Sequence, residues 1–356
     1  MRQTRLVGAA DLVDGELRIE QVSRRNAVFT VAVDGTSGYV LKCGAGRSRA
    51  STIHQERAVY DWLSTHAEPE LRRHLVRAIA YDAQEDTLAL ELVDDAVSLV
   101  EQVVATRRCS IRVATGLGQA LASLHRIAAC DEANSGIPAR LPWVFVIHRP
   151  GINTFRDVSA ANRILIRTAQ STPALGDALD RLHTRWTTCC LIHNDLRWEN
   201  ILIPGSCRRQ PGTAFKIVDW DVAGWGDPAW DVGTVFGAYL ALWLSSIPFT
   251  GQEIPSKLVE HARYPLAAMQ PAMRAFWASY AGRSAIGEAQ ATKFLDRATC
   301  YAAARLVQLT FERLQYADRL SPSAMLTLQV SLNMLQQSSL AASALLGIRS
   351  VMPDAR

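Results

Sequence analysis

Between residues 27 and 93 the apolar positions come in short bursts. Ala27-Val28-Phe29-Thr30-Val31-Ala32-Val33 is rich in β-branched residues, Asp34-Gly35 supplies turn chemistry, and Tyr39-Val40-Leu41-Lys42 resumes the run. This predicts a β-hairpin with a slightly long loop. Thr52-Ile53-His54-Gln55 has a capping-box pattern, and Val59, Trp62, Leu63 and His66 follow at helical spacing. Leu88 to Val93 reads as another strand, ended by Asp94-Asp95. The first ninety residues thus read as strands around one helix. Beyond them the period lengthens. Within Ile111–Ile127, Val113, Ala114, Leu117, Leu121 and Leu124 form one helical stripe. Residues 133–150 hold Pro138, Pro142 and Pro150 and read as a loop. Cys190-Leu191-Ile192, Ile201-Leu202-Ile203 and Phe215-Lys216-Ile217-Val218 are short apolar segments between polar loops, like strands that present loops at a cleft. The last hundred residues read as helices, with Ser321-Pro322 as an N-cap and first-turn pair. The predicted class is α+β: a small lobe over residues 1–93, a connecting strand at its end, and a larger helical lobe over residues 94–356.

Composition narrows the classes. The chain has 356 residues, 49% of them hydrophobic and 20% charged, which excludes disordered and fibrous proteins. Its 38 basic and 34 acidic residues give a net charge of +4, too balanced for a nucleic-acid-binding stripe. The longest apolar run, Val235 to Phe249, is broken by Ser245, Ser246 and Pro248. It falls short of the ~18–20 residues of a membrane span and predicts a buried helix. The N-terminal residues lack the continuous apolar region of a signal peptide. Seven cysteines without a CxxC pair predict free thiols in a reducing cytoplasm rather than a zinc or disulfide framework.

Three stretches carry chemistry. His193-Asn194-Asp195-Leu196-Arg197-Trp198-Glu199-Asn200 has the spacing H-x-D-x-x-x-x-N. Asp195 can accept a proton from an attacking hydroxyl, and Asn200 can give magnesium a hard oxygen ligand. The plainer alternative is that both cap turns. Phe215 to Asp221 places Asp219 directly after an apolar strand, where a second metal ligand is needed, with Asp221 in reserve. In Gly226-Asp227-Pro228-Ala229-Trp230-Asp231 the acids read first as a turn residue and a helix N-terminal acid, and second as support for the catalytic loop. In the small lobe Lys42 is in phase with Val40, and Glu56 shares the apolar face of Val59 and Leu63. A carboxylate on a buried stripe needs a partner, and Lys42 is the natural one. An exposed lysine and glutamate are the alternative.

HNDLRWEN, IVDWD and GDPAWD together resemble the aminoglycoside phosphotransferase/choline kinase family, part of the protein-kinase-like fold, over roughly residues 20–240. The resemblance implies ATP, with GTP as an option, and Mg2+. It implies Asp195 as catalytic base, Asn200 and Asp219 as magnesium ligands, and Lys42 with Glu56 on the phosphates. Glu91 to Val93 would be the connector that receives the adenine. Arg197 resembles the basic residue protein kinases place after the base; it would neutralise charge on the transferred group, or else be a surface arginine. His125, on a helix resembling the one before the family's catalytic loop, reads as packing. The phosphate-covering loop would be Ser23-Arg24-Arg25-Asn26; it contains no glycine, so Ser23, Asn26 and the arginines would have to serve instead. Asn194 stands where many antibiotic kinases of the family have glycine and choline-kinase-like members often have asparagine.

The acceptor is then a hydroxyl on a small molecule or peptide. Residues 250–300 hold four acids against six bases and residues 131–187 five against seven, which disfavours a polycationic antibiotic. Trp220, Trp225, Trp230, Trp243 and Trp277 offer a choline cage, or simply core. Two further readings stay open: a Ser/Thr kinase acting on a precursor peptide in lanthipeptide-type maturation, and a pseudokinase that binds nucleotide or a partner. The glycine-free loop favours the pseudokinase; the full set Lys42, Glu56, Asp195, Asn200 and Asp219 opposes it.

Overall fold

The computed structural model describes residues 17–23, 27–33, 38–44, 52–128, 135–152, 158–207, 214–249 and 255–349. The small lobe is an antiparallel sheet of β1 (Leu17–Ser23), β2 (Ala27–Val33), β3 (Tyr39–Cys43), β4 (Ala78–Asp82) and β5 (Thr87–Glu91), in the order β1-β2-β3-β5-β4. The predicted hairpin is β2–β3, and it sets Lys42 between Val28 and Leu88 on the neighbouring strands. Helix α1 (Ile53–His66) covers one face of the sheet with Ile53, Val59, Tyr60 and Leu63. Val31, Leu41 and Ala89 form a separate small cluster.

Two details differ from expectation. A second, short helix α2 (Pro69–Arg72) follows α1, where one helix was predicted. The capping box does not form: Thr52 makes no side-chain cap bond. Gln55 instead points across the interlobe boundary, donating to the Ala223 carbonyl at 2.8 Å and accepting from Arg140. A long-range bond to the other lobe thus replaces the local cap.

The large lobe contains α3 (Leu99–Thr106), α4 (Ile111–Leu124), α5 (Ala160–Ser171), α6 (Pro173–Thr184), α7 (Pro228–Ser245), α8 (Leu266–Ser284), α9 (Glu288–Arg313), α10 (Pro322–Gln336) and α11 (Ser338–Ala344). β6 (Val97–Ser98), β8 (Ile201–Ile203) and β9 (Lys216–Ile217) form a small sheet in that order, and β7 (Cys190–Ile192) pairs with β10 (Gly224–Gly226). Ser321 caps α10 by accepting from Ala324 N at 3.1 Å. The apolar run that begins at Val235 lies largely within α7, most of which is buried. Among the described residues no helix is long and apolar enough to cross a membrane. At Gly233 a Cβ would lie 2.6 Å from the Ala298 carbonyl oxygen, so only glycine lets α7 and α9 approach this closely. Trp220, Trp225 and Trp230 are fully buried, Trp243 nearly so, and Trp277 stacks on Tyr280 and Phe294. The first four of these tryptophans are core, and Trp277 is partly buried against it.

His74 sits at the seam between α2 and β9. Its backbone oxygen accepts from Ile217 N at 2.7 Å, its Nδ1 donates to the Phe215 carbonyl at 3.1 Å, and its ring stacks on Phe215. Burial holds the imidazole below its ordinary range, with the Phe215 bond acting the other way. The unfolded chain therefore binds this proton at higher pH than the folded one. Its stabilising effect is complete above about pH 6.5 and is lost as pH falls toward the folded value. The melting temperature of His74→Phe is expected to fall less than that of the native chain between about pH 7.5 and about pH 5.5; parallel curves would contradict this.

Candidate active site

Two groups of polar side chains meet beneath the small sheet. In the first, Lys42 on β3 donates to both oxygens of Glu56, at 2.7 and 2.9 Å, and to Asp219 Oδ1 at 2.6 Å. Lys42 is 7% exposed and Glu56 0%. Burial works against the ammonium, but the Glu56 and Asp219 carboxylates outweigh it and raise the lysine above its ordinary range. Glu56 also accepts from Trp220 N at 3.2 Å, so one buried carboxylate ties α1 to both β3 and the turn after β9. Asp219 has φ +69°, a left-handed conformation that aspartate tolerates better than most residues.

The second group is the loop between β7 and β8. The Asp195 carboxylate accepts from Arg197 Nε and Nη2, at 3.0 and 2.7 Å on Oδ2, and from Arg305 Nη2 on Oδ1. Asn200 donates through Nδ2 to the Asp195 carbonyl at 2.8 Å. The loop is fastened from below. Asp231, fully buried in the first turn of α7, accepts from His193 N at 2.7 Å and Asn194 N at 2.9 Å. His125 meets the same carboxylate at 3.3 Å and the Tyr280 hydroxyl at 2.9 Å, which makes it a brace within the packing. Asp227 caps α7 through Ala229 N at 3.0 Å and accepts from the Tyr301 hydroxyl at 3.0 Å. Asn194 has φ +67°, which explains why asparagine and glycine can both stand here.

The groups are joined one residue before Asp219. Val218 N donates to the Asn200 carbonyl at 3.0 Å, and His193 Nε2 donates to the Val218 carbonyl at 3.0 Å. Lys42, Glu56 and Asp219 therefore share one framework with Asp195, Arg197 and Asn200. Of the other sequence candidates, Glu91 and Val93 make contacts of their own. Glu91 ends β5 with its carboxylate on Arg77 N and Nε, at 3.1 and 3.2 Å. Val93 packs against the core, and its carbonyl accepts from Ala96 N at 3.3 Å. Ser23 ends β1, and Asn26, with Arg24 and Arg25, lies outside the described residues.

The donor set suits magnesium. With Nδ2 engaged, the Asn200 amide keeps Oδ1 for a cation, and Lys42 leaves Asp219 a second oxygen. Burial, then the neighbouring Asp219 charge, push Asp221 above the ordinary carboxylate range, a repulsion that a cation relieves. Among the described residues no cluster of three or more His, Cys, Asp or Glu forms a closed metal cage. Magnesium needs none, since it usually keeps waters and substrate phosphates among its ligands.

Sequence reasoning did not find Arg305, Glu312 or the Gln55–Arg140 contact. Arg305 lies 110 residues from Asp195 on a helix with no motif, so only the fold brings it to the site.

An antiparallel β lobe over a helical lobe, with this polar seam between them, is the architecture of the protein-kinase-like phosphotransferases. The family model for APH, the phosphotransferase enzyme family, matches residues 18–271, and the chain belongs to that family. Among solved structures, an amicoumacin kinase in complex with AMP-PNP, Ca2+ and Ami superposes with a TM-score of 0.55 at 13% identity, covering 90% of this chain and 88% of that one. A putative fructosamine-3-kinase from Thermobifida fusca YX-ER1 gives a TM-score of 0.51 at 16% identity, covering 90% and 93%. At such identities the likeness is one of fold. No curated protein matches the sequence.

Proposed function

We propose that this phosphotransferase moves the γ-phosphoryl group of ATP to a hydroxyl of a small molecule, with Asp195 as the base. The supporting observation is the rigid coupling of the Asp195–Asn200 loop to the buried Lys42–Glu56–Asp219 group. Asp195 takes the proton of the acceptor hydroxyl as its oxygen bonds to the γ-phosphorus. The bond from that phosphorus to the β–γ bridging oxygen breaks, and ADP leaves. Lys42, oriented by Glu56, holds the phosphates, and Arg197 balances charge on the group in flight. Mg2+, held by Asn200 and Asp219, would neutralise the phosphate oxygens. The division at Val93/Asp94 separates the nucleotide lobe from the acceptor lobe, with the Glu91–Val93 backbone taking the adenine and the Ser23–Asn26 loop covering the phosphates. The amicoumacin kinase, whose structure holds AMP-PNP, lends support to ATP as the donor. A cytoplasmic setting suits the free thiols at Cys43, Cys109, Cys189, Cys190, Cys207 and Cys300.

Thermal melting with ATP or GTP, each with and without Mg2+, tests the nucleotide half of this reading. At a hundred times Kd the ligand adds about 2.7 kcal/mol of stability. A magnesium-dependent rise in melting temperature is expected with ATP. No rise with either nucleotide would favour the pseudokinase reading.

A further inference from the structure

Helix α9 lies beyond residue 271, where the family match ends, and one of its side chains reaches back to the site. Arg305 is 0% exposed. Its Nη2 donates to Asp195 Oδ1, while Nη1 stays 3.6 Å from Glu312 Oε1, beyond hydrogen-bond range. Among the described residues, Nε and Nη1 have no hydrogen-bond partner. A buried guanidinium that leaves donors unused is a poor way to gain stability, and apolar side chains often serve that end better. What Arg305 secures is direction. Two guanidiniums divide the Asp195 oxygens, Arg305 on Oδ1 and Arg197 on Oδ2. They are anchored differently. The Arg305 stem lies in the α7–α9 interface, where a Cβ at Gly237 would sit 3.4 Å from its Cγ. The Arg197 side chain is 32% exposed at the edge of the site. Glu312 lies 3.6 Å from an Nη1 atom of each arginine and links the two.

We propose that Arg305 is a positioning residue for phosphoryl transfer, one that fixes Asp195 through Oδ1 so that Oδ2, once Arg197 withdraws, faces the acceptor hydroxyl. The inference rests on the reading of Asp195 as the base. The hydroxyl proton goes to Oδ2, the acceptor oxygen bonds to phosphorus, and ADP departs with the electron pair of the broken bond.

Arg305→Gln and Arg305→Lys are compared with the native chain by thermal melting, by crystal structures, and by steady-state hydrolysis of Mg-ATP with water as acceptor. In R305Q the Asp195 carboxylate is expected to rotate away, and in R305K to keep its orientation. The kcat of R305Q is expected to fall about tenfold to a hundredfold with KM for Mg-ATP within about threefold, and R305K to regain most of the loss. An unmoved Asp195 in R305Q overturns the proposal. Failure of both variants to fold also overturns it, because Arg305 is then a structural brace. If only R305Q fails to fold, R305K decides: Asp195 held with near-native turnover supports the proposal, and Asp195 displaced with native turnover overturns it. Native turnover in Asp195→Asn would remove the base reading itself. An inactive Asp195→Asn beside a fully active R305Q would remove only the positioning role.

Discussion

Asp195→Asn is expected to lower phosphoryl transfer from ATP by about 10²- to 10⁴-fold, the range of a lost general base, while Mg-ATP still binds. Asparagine is the informative replacement because its side-chain oxygen can still accept from Arg305. Asp195→Ala leaves that buried guanidinium without its one short partner and is expected to lower the melting temperature as well as activity. The measurement is product formation with a hydroxyl compound that the native chain phosphorylates, alongside calorimetric titration with Mg-ATP. Native turnover in the asparagine variant would move the base elsewhere.

Lys42→Met is expected to cost about 3–5 kcal/mol of stability, because it strands the buried Glu56 carboxylate. The Trp220 amide, at 3.2 Å, would still donate to it. Lys42→Met with Glu56→Leu is expected to recover much of that stability, since an apolar pair of similar volume carries no stranded charge. Neither variant is expected to bind Mg-ATP with native affinity. Urea unfolding reads the first effect and nucleotide titration the second. If the double variant regained nucleotide binding along with stability, Lys42 would be a structural residue only.

The parts of this site that were legible in the sequence are those set by local spacing. Asp195 and Asn200 share one loop, and Asp219 follows a strand. Lys42 and Glu56 could be paired on paper because one lies in phase on a strand and the other on the apolar stripe of a helix. Asp231 reads as a helix N-terminal acid and is one, Asp227 reads as a turn residue and is the N-cap of the same helix, and Asp231 also fastens the loop that carries Asp195. The fold class was legible for the same reason: short bursts bounded by turn signals come first and helical stripes later. What escaped was set by tertiary contact. β4, Ala78-Ile79-Ala80-Tyr81-Asp82, has too few β-branched residues to stand out and becomes a strand by pairing with β5. Thr52 and Gln55 match a capping box, yet Gln55 finds better-placed partners in the other lobe. Arg305 has no local signal, because what makes it unusual is its burial against Asp195.

The buried carboxylate of Asp231 has a consequence for hydrogen exchange. It holds the amides of His193 and Asn194, consecutive residues, one on each oxygen. Opening them would expose a carboxylate that is 0% accessible in the folded chain and would break its contact with His125. These two amides should therefore exchange only in openings that also disrupt the start of α7, at free energies near that of global unfolding rather than of loop fraying. The loop that carries Asp195 is thus fastened to the large lobe at the start of α7.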